Sequence, residues 1–233
     1  MSVLQGKIVF VSGASSGIGK ACAERFAKAG AKLILCARSI DKITALAEQL
    51  KAMYQTESRV IGLDVRNREA VLAAVQSLPE VWQAIDVLIN NAGVWLQGPL
   101  GESWDTMIDT NVKGLLYLTR AIVPLMLKYQ RNGHVVNIGS VAGIHAYPGG
   151  AVYCACKAAV QFISDGLRMD VVDTPIRVTN IQPGMVQTDF SKVRFHGDEK
   201  KAAEVNEGIT PLSAEDIADI IIYDASVPPH VQI

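Results

Sequence analysis

The chain has 233 residues, 49% hydrophobic and 19% charged, which fits one globular domain with a substantial buried core. Its 22 basic and 23 acidic residues leave a formal charge of -1 without a long run of either sign, so nothing marks a nucleic acid or an anionic membrane as partner and a small molecule is expected. The four cysteines, at 22, 36, 154 and 156, lack metal-ligand spacing and read as free packing thiols, with no metal implied.

Taken in chain order, the first apolar run, Ile8 to Val11, is too short for a secretory core or a membrane span, so a cytoplasmic location is expected. It reads as a strand, and Gly13, Ser15, Ser16, Gly17, Ile18 and Gly19 follow it, ahead of a helix over Lys20 to Ala29. Glycines there permit a tight turn and let backbone amides reach a pyrophosphate at the helix N-terminus. The spacing Gly-x3-Gly-x-Gly is weak alone, and its place between strand and helix makes it a dinucleotide site. After the second strand, Leu33 to Cys36, an acid for the adenosine ribose is missing and Arg38 and Ser39 stand in its place, which suits the 2′-phosphate of NADP(H). Asp41 reads as the cap of a helix from about Lys42, with Ile43, Leu46, Leu50 and Met53 as its apolar stripe.

Further strands are predicted at Val60 to Leu63, Val87 to Ile89, Val135 to Ile138 and Val178 to Ile181, apolar on both faces as in a buried parallel sheet. Asn90 reads as an Asx turn closing the fourth strand, while His134 and His196 read as solvated. Tyr153 and Lys157, four apart on one helix face with Ser140 upstream, let an ammonium favour the ionised phenol, as a general acid or base near neutral pH requires. Ser213 caps a last helix with Glu215 and Asp216 in its first turn, and the segment from Pro228 reads as the entry to a final strand that is expected to be truncated or missing. The alternation predicts an α/β fold, a doubly wound Rossmann-type three-layer sandwich with a mostly parallel sheet. Residues 1–233 form a single domain, with a substrate-loop region at about 184–212.

With its glycine loop, Asn90-Asn91-Ala92-Gly93, Asn111, Ser140, Tyr153, Lys157, Pro183-Gly184 and Thr188, the chain resembles the short-chain dehydrogenase/reductases, in order and over nearly its whole length. Leu63 to Arg68, Trp104 to Asn111, Asn137 to Ser140 and Phe190 to Phe195 look like the NADP-dependent 3-hydroxy acid dehydrogenases. The resemblance implies hydride transfer between NADP(H) and a small 3-hydroxy acid or its semialdehyde. Tyr153 would exchange the proton, Ser140 orient the substrate oxygen, Lys157 bind the nicotinamide ribose, and Asn111 hold a relay water. Asp64 and Val65 would flank the adenine, and Asn91, with Ala92 and Gly93, would lie against the adenosine side. Pro183, Gly184, Val186 and Thr188 would close over the nicotinamide. A homotetramer is implied, with helices at about 112–128 and 154–172 in the main contact.

His145 and Tyr147 stand where the chain should pass the substrate. Arg194, in the segment after Pro183-Gly184, offers a bidentate fork for a substrate carboxylate. Trp95 walls the pocket or simply packs. The rivals are a reductase of a larger ketone, such as a 3-oxoacyl thioester, steroid or retinoid, and a non-catalytic NADP sensor.

Overall fold

The computed structural model describes residues 2–96, 103–195, 197–204 and 208–232. Strands β1 (Ile8–Ser12), β2 (Lys32–Ala37), β3 (Ser58–Gly62), β4 (Val87–Asn90), β5 (His134–Ile138) and β6 (Arg177–Ile181) form one sheet in the order β3-β2-β1-β4-β5-β6. All five pairings are parallel. The β-branched and aliphatic runs select strand because such side chains fill both covered faces of a parallel sheet. β1, β4 and β5 are buried throughout. β3 departs from that expectation: it is an edge strand, and its residues are half-buried or exposed, none fully buried.

Between the strands run α1 (Gly17–Lys28), α2 (Ile40–Tyr54), α3 (Arg68–Gln76), α4 (Glu80–Gln83), α5 (Trp104–Ile108), α6 (Leu115–Lys128), α7 (Ala151–Asp170), α8 (Phe190–Arg194), α9 (Glu199–Glu204) and α10 (Ala214–Ser226). Alternate residues of each strand serve opposite cores. Val9, Val11, Leu33, Leu35 and Ile89 pack with α1, α2 and α10. Phe10, Ile34, Leu88, Val135 and Val178 pack with α3 and α6. Helices therefore cover both faces, giving three layers, and no helix among the described residues is long and apolar enough to cross a membrane.

Several local readings differ. Ser39, not Asp41, stands at the N-cap of α2, and Asp41 lies inside its first turn, where a carboxylate still meets the positive end of the helix. Met53 is exposed, because the stripe of α2 has rotated off the sheet by its last turn. Asn90 is buried and ties β4 to its neighbours, Nδ2 donating to Thr119 Oγ1 at 3.0 Å and Asn137 Oδ1 at 2.9 Å. His134 is buried too, with Nε2 2.9 Å from Thr179 Oγ1 and 3.3 Å from Asp224 Oδ2. Burial pushes its imidazole pKa down against the pull of Asp224. Residues 228–232 form no strand, in keeping with a final strand that is truncated or missing, and Arg177 Nη1 fastens them by donating to Val231 O at 2.9 Å. His196 lies outside the described residues.

One pairing was not legible beforehand. β7 (Val186–Gln187) and β8 (Leu212–Ser213) form a two-stranded parallel ladder, with Leu212 N donating to Met185 O at 2.9 Å. It pins together the two ends of the excursion at 188–211, the region expected to carry the substrate loop.

Candidate active site

The strand order reverses between β1 and β4, and the crevice beyond the carboxyl ends of those strands is where an open α/β sheet receives a ligand. The turn leaving β1 is built for close approach. Gly13 and Gly17 have φ of +66° and +52°, which side chains rarely adopt. A Cβ on Gly19 would run into Gly13 O and Asn91 Nδ2. Ser12 Oγ bridges the two strand ends, donating to Ile89 O at 3.1 Å and accepting from Asn91 N at 3.0 Å and Ala92 N at 3.1 Å.

No side chain caps the start of α1. Its first-turn amides, together with the Ser15 and Ser16 hydroxyls, form a donor set for a bound anion, and the half-buried Ile18 packs against the core beneath that turn. Thr188 comes down over this point, its Cγ2 3.3 Å from where a Gly17 Cβ would be. Arg38 and Ser39 are exposed at the end of β2. Asp64 accepts from Arg66 Nη2 at 2.6 Å, and that guanidinium holds the Asp64 carboxyl below its usual pKa. Val65 is buried against Gly114, where a Cβ would come within 2.6 Å of it. This donor and cation set fits a dinucleotide phosphate chain with a further phosphate near Arg38.

Asn91 stands beside the glycine loop and props it, its Nδ2 donating to Ser12 O at 3.0 Å and Gly13 O at 3.2 Å. Ala92 and Gly93 continue past it toward Asn111 and Lys157. Asn111 is buried in a π-helical turn, Asp109–Gly114, a backbone irregularity common at functional sites. Its Oδ1 accepts from Val94 N at 2.8 Å and its Nδ2 donates to Val94 O at 2.7 Å.

Ser140, Tyr153 and Lys157 converge at the carboxyl end of β5. Ser140 begins a short turn, accepting from Ala142 N at 3.1 Å and donating to Pro183 O at 3.4 Å, and its hydroxyl also hydrogen-bonds the Tyr153 phenol. Burial pushes Tyr153 up to about 12, against the lowering by Ser140. Lys157, just as buried, is pushed down to about 8. Its Nζ donates to Ile138 O at 2.6 Å and lies 5.8 Å from the centre of the Tyr153 ring. Gly184 and Val186 lead from Pro183 into β7, and a Cβ at Gly184 would meet open space.

Aromatic groups close the tyrosine in. Trp95 stacks on Tyr153 with centroids 5.0 Å apart and planes 15° from parallel, and Tyr147 tilts against Trp95 at 5.3 Å. Phe190, noted in the sequence only as the start of a family-like segment and not as a site residue, meets Tyr153 at 6.0 Å. Its signal was its place as the first residue of α8, immediately after the Thr188-Asp189 turn. The Arg194 guanidinium lies 3.2 Å from the centre of the Trp95 ring. The structure therefore brings Tyr147 and Arg194 to the site and leaves His145 exposed. No group of three or more metal-ligating side chains occurs among the described residues.

The family model described as short chain dehydrogenase matches residues 7–199. The NADP-dependent 3-hydroxy acid dehydrogenase YdfG of Salmonella typhi is 46% identical over 232 residues, covering 97% of this chain and 92% of that protein. Sulfoacetaldehyde reductase 2 of Chromohalobacter salexigens is 42% identical, covering 97% and 91%. Among solved structures, the closed form of a serine dehydrogenase complexed with NADP+ superimposes with a TM-score of 0.90 at 42% identity, covering 97% of this chain and 92% of that one.

Proposed function

This chain belongs to the short-chain dehydrogenase family, and on that footing we propose that it is an NADP-dependent oxidoreductase that interconverts a small 3-hydroxy acid and its semialdehyde. One observation carries the substrate class: a guanidinium, Arg194, stacked on the Trp95 ring that in turn stacks on Tyr153, within reach of an acid group attached to the reacting carbon chain. Relatives that act on 3-hydroxy acids and on sulfoacetaldehyde support the reading, since both substrate types pair an anionic group with a nearby oxygenated carbon.

NADP supplies the acceptor or donor of hydride at its nicotinamide C4. The α1 amides with Ser15 and Ser16 would hold its pyrophosphate, and Arg38 with Ser39 would hold the 2′-phosphate. Ser140 and Tyr153 share the substrate oxygen: Ser140 donates a hydrogen bond that fixes its position, while Tyr153 removes the hydroxyl proton in oxidation and returns it in reduction. A phenol at about 12 holds its proton too tightly for this work at neutral pH. Ser140 and the Arg194 charge pull its pKa down, and Lys157, whose Nζ lies 5.8 Å from the centre of that ring, is the cation placed to favour the phenolate once substrate and cofactor bind. Asn111, through both hydrogen bonds to Val94, holds the chain that walls the site. Arg194 takes the carboxylate with paired hydrogen bonds.

The reading fits a homotetramer in the cytoplasm, with α6 and α7 at the contact. The crowded aromatic shell of Trp95, Tyr147 and Phe190 disfavours the bulky-ketone reading. The test follows NADPH absorbance with L- and D-serine, allo-threonine, 3-hydroxypropionate, 3-hydroxyisobutyrate, sulfoacetaldehyde, an acetoacetyl thioester and a steroid, with NAD alongside. Turnover of the short acids with NADP, reduced about a thousandfold in Tyr153→Phe, is expected. Turnover of only the thioester or the steroid would refute the assignment.

A further inference from the structure

Trp95 makes contacts that simple packing does not call for. Its indole is 9% exposed, is stacked on Tyr153 at 5.0 Å and carries the Arg194 guanidinium 3.2 Å from its ring centre. Two planar groups at those separations cannot share one face of an indole without overlapping. Tyr153 and Arg194 therefore lie on opposite faces, and Trp95 is the middle layer of a phenol, indole and guanidinium stack. The layer is held from both sides: Asn111 clamps the preceding residue, Val94, through both of its backbone groups, and Tyr147 leans on the ring edge at 5.3 Å.

The consequence is metric. The thickness of one aromatic ring sets how far the anion-binding group stands from the proton-transferring one. We propose that Trp95 is the specificity-determining residue of this pocket, a spacer that selects substrates whose acid group is separated from the reacting carbon by a single carbon. This rests on the reading that Arg194 receives the substrate anion. It admits 3-hydroxy acids and the equivalent sulfonates alike, because both place one carbon between the acid group and the carbinol. Substrates with no intervening carbon fall short of the guanidinium, and those with two must buckle against the indole.

The test is a homologous ladder of glycolate, 3-hydroxypropionate and 4-hydroxybutyrate, measured by NADPH formation with the wild-type enzyme and with Trp95→Ala, Trp95→Leu and Trp95→Phe. Wild type should prefer the middle member by about 100-fold in kcat/KM, within the range that a misfitted contact costs. Trp95→Ala and Trp95→Leu should reduce that preference to less than about 10-fold, mainly by raising KM for 3-hydroxypropionate, while Trp95→Phe keeps most of it. Leucine and phenylalanine both fill space and only one offers a flat face, so the pair separates the spacer from mere packing. The Kd for NADP+, read by fluorescence, should not change. An active wild type whose preference survives in Trp95→Leu overturns the spacer and leaves the proposed function standing. A wild type inactive on every 3-hydroxy acid sinks that function, and the spacer with it.

Discussion

At the scale of single residues, Lys157 shows how function is purchased with stability. Its ammonium is fully enclosed and, in the protein without its cofactor, is pushed from the ordinary 10.5 down to about 8 by burial. The folded state therefore gives up the proton at lower pH than the unfolded chain does. Between about 8 and 10.5 the unfolded chain binds more protons, so stability must rise with pH across that window. The gap corresponds to about 3 kcal/mol at 1.36 kcal/mol per pH unit. Lys157→Met removes this dependence, while the Ile138 carbonyl it orphans costs the same at every pH. We predict that urea unfolding at pH 7 and pH 10.5 shows wild type gaining on the variant by about 3 kcal/mol; parallel pH profiles would mean that the amine is hydrated when charged. Tyr153 and Lys157 were legible from their helical spacing taken together with the glycine loop and the other motifs in order along the chain, and Ser140 from its place among those motifs. The indole between Tyr153 and Arg194 was not, since it joins three distant chain segments that no local pattern relates.

At the scale of elements, the six strands of the main sheet and the longer helices α1, α2, α6, α7 and α10 were legible, because β-branched runs and apolar stripes report which faces must be covered, whereas the short helices carry too few residues for a stripe. The start of α10 was legible as well. Ser213 Oγ accepts from Asp216 N at 3.0 Å and Asp216 Oδ2 accepts from Ser213 N at 2.7 Å, a reciprocal capping box. The short β7–β8 ladder was hidden, because two-residue strands carry no periodicity and their pairing is decided by where the chain returns after twenty-odd intervening residues. Ser213 belongs to both features, ending β8 and capping α10. α10 packs along α1 through Ile217, Ala218 and Ile221, so the cap supports the helix whose first turn is the anion site. Ser213→Ala should lower stability by about 1 kcal/mol and the melting temperature by roughly 2–4 °C. Calorimetry measures the loss, and titration with NADP+ should show an unchanged Kd. A melting temperature within error of wild type would show that the box adds nothing to the helix already docked.

At the scale of the whole molecule, α7 has two working faces. Tyr153 points into the aromatic cluster, and Phe162, nine residues later, falls half a helical turn round on the opposite side. There it is 78% exposed, with Met169, seven residues on, at 76%. Val172 beyond the helix and Leu116 and Leu127 on α6 are exposed as well. Large apolar side chains left exposed on α6 and α7 are what an interface between copies requires, and burying each one fully contributes roughly 1.5–3 kcal/mol. One helix would then face the substrate on one side and a second subunit on the other, so assembly would brace the backbone that aims Tyr153 and Lys157. We predict that light scattering on the purified protein gives about four times the subunit mass of 25.1 kDa. Phe162→Glu places a charge at the centre of that contact and should yield dimers or monomers, a melting temperature that depends on protein concentration, and a lower kcat with little change in the Kd for NADP+. A wild-type protein that stays monomeric at micromolar concentration with full activity would refute both the assembly and the bracing. A tetramer that survives Phe162→Glu would place the contact on another face and leave α7 supported from within its own subunit.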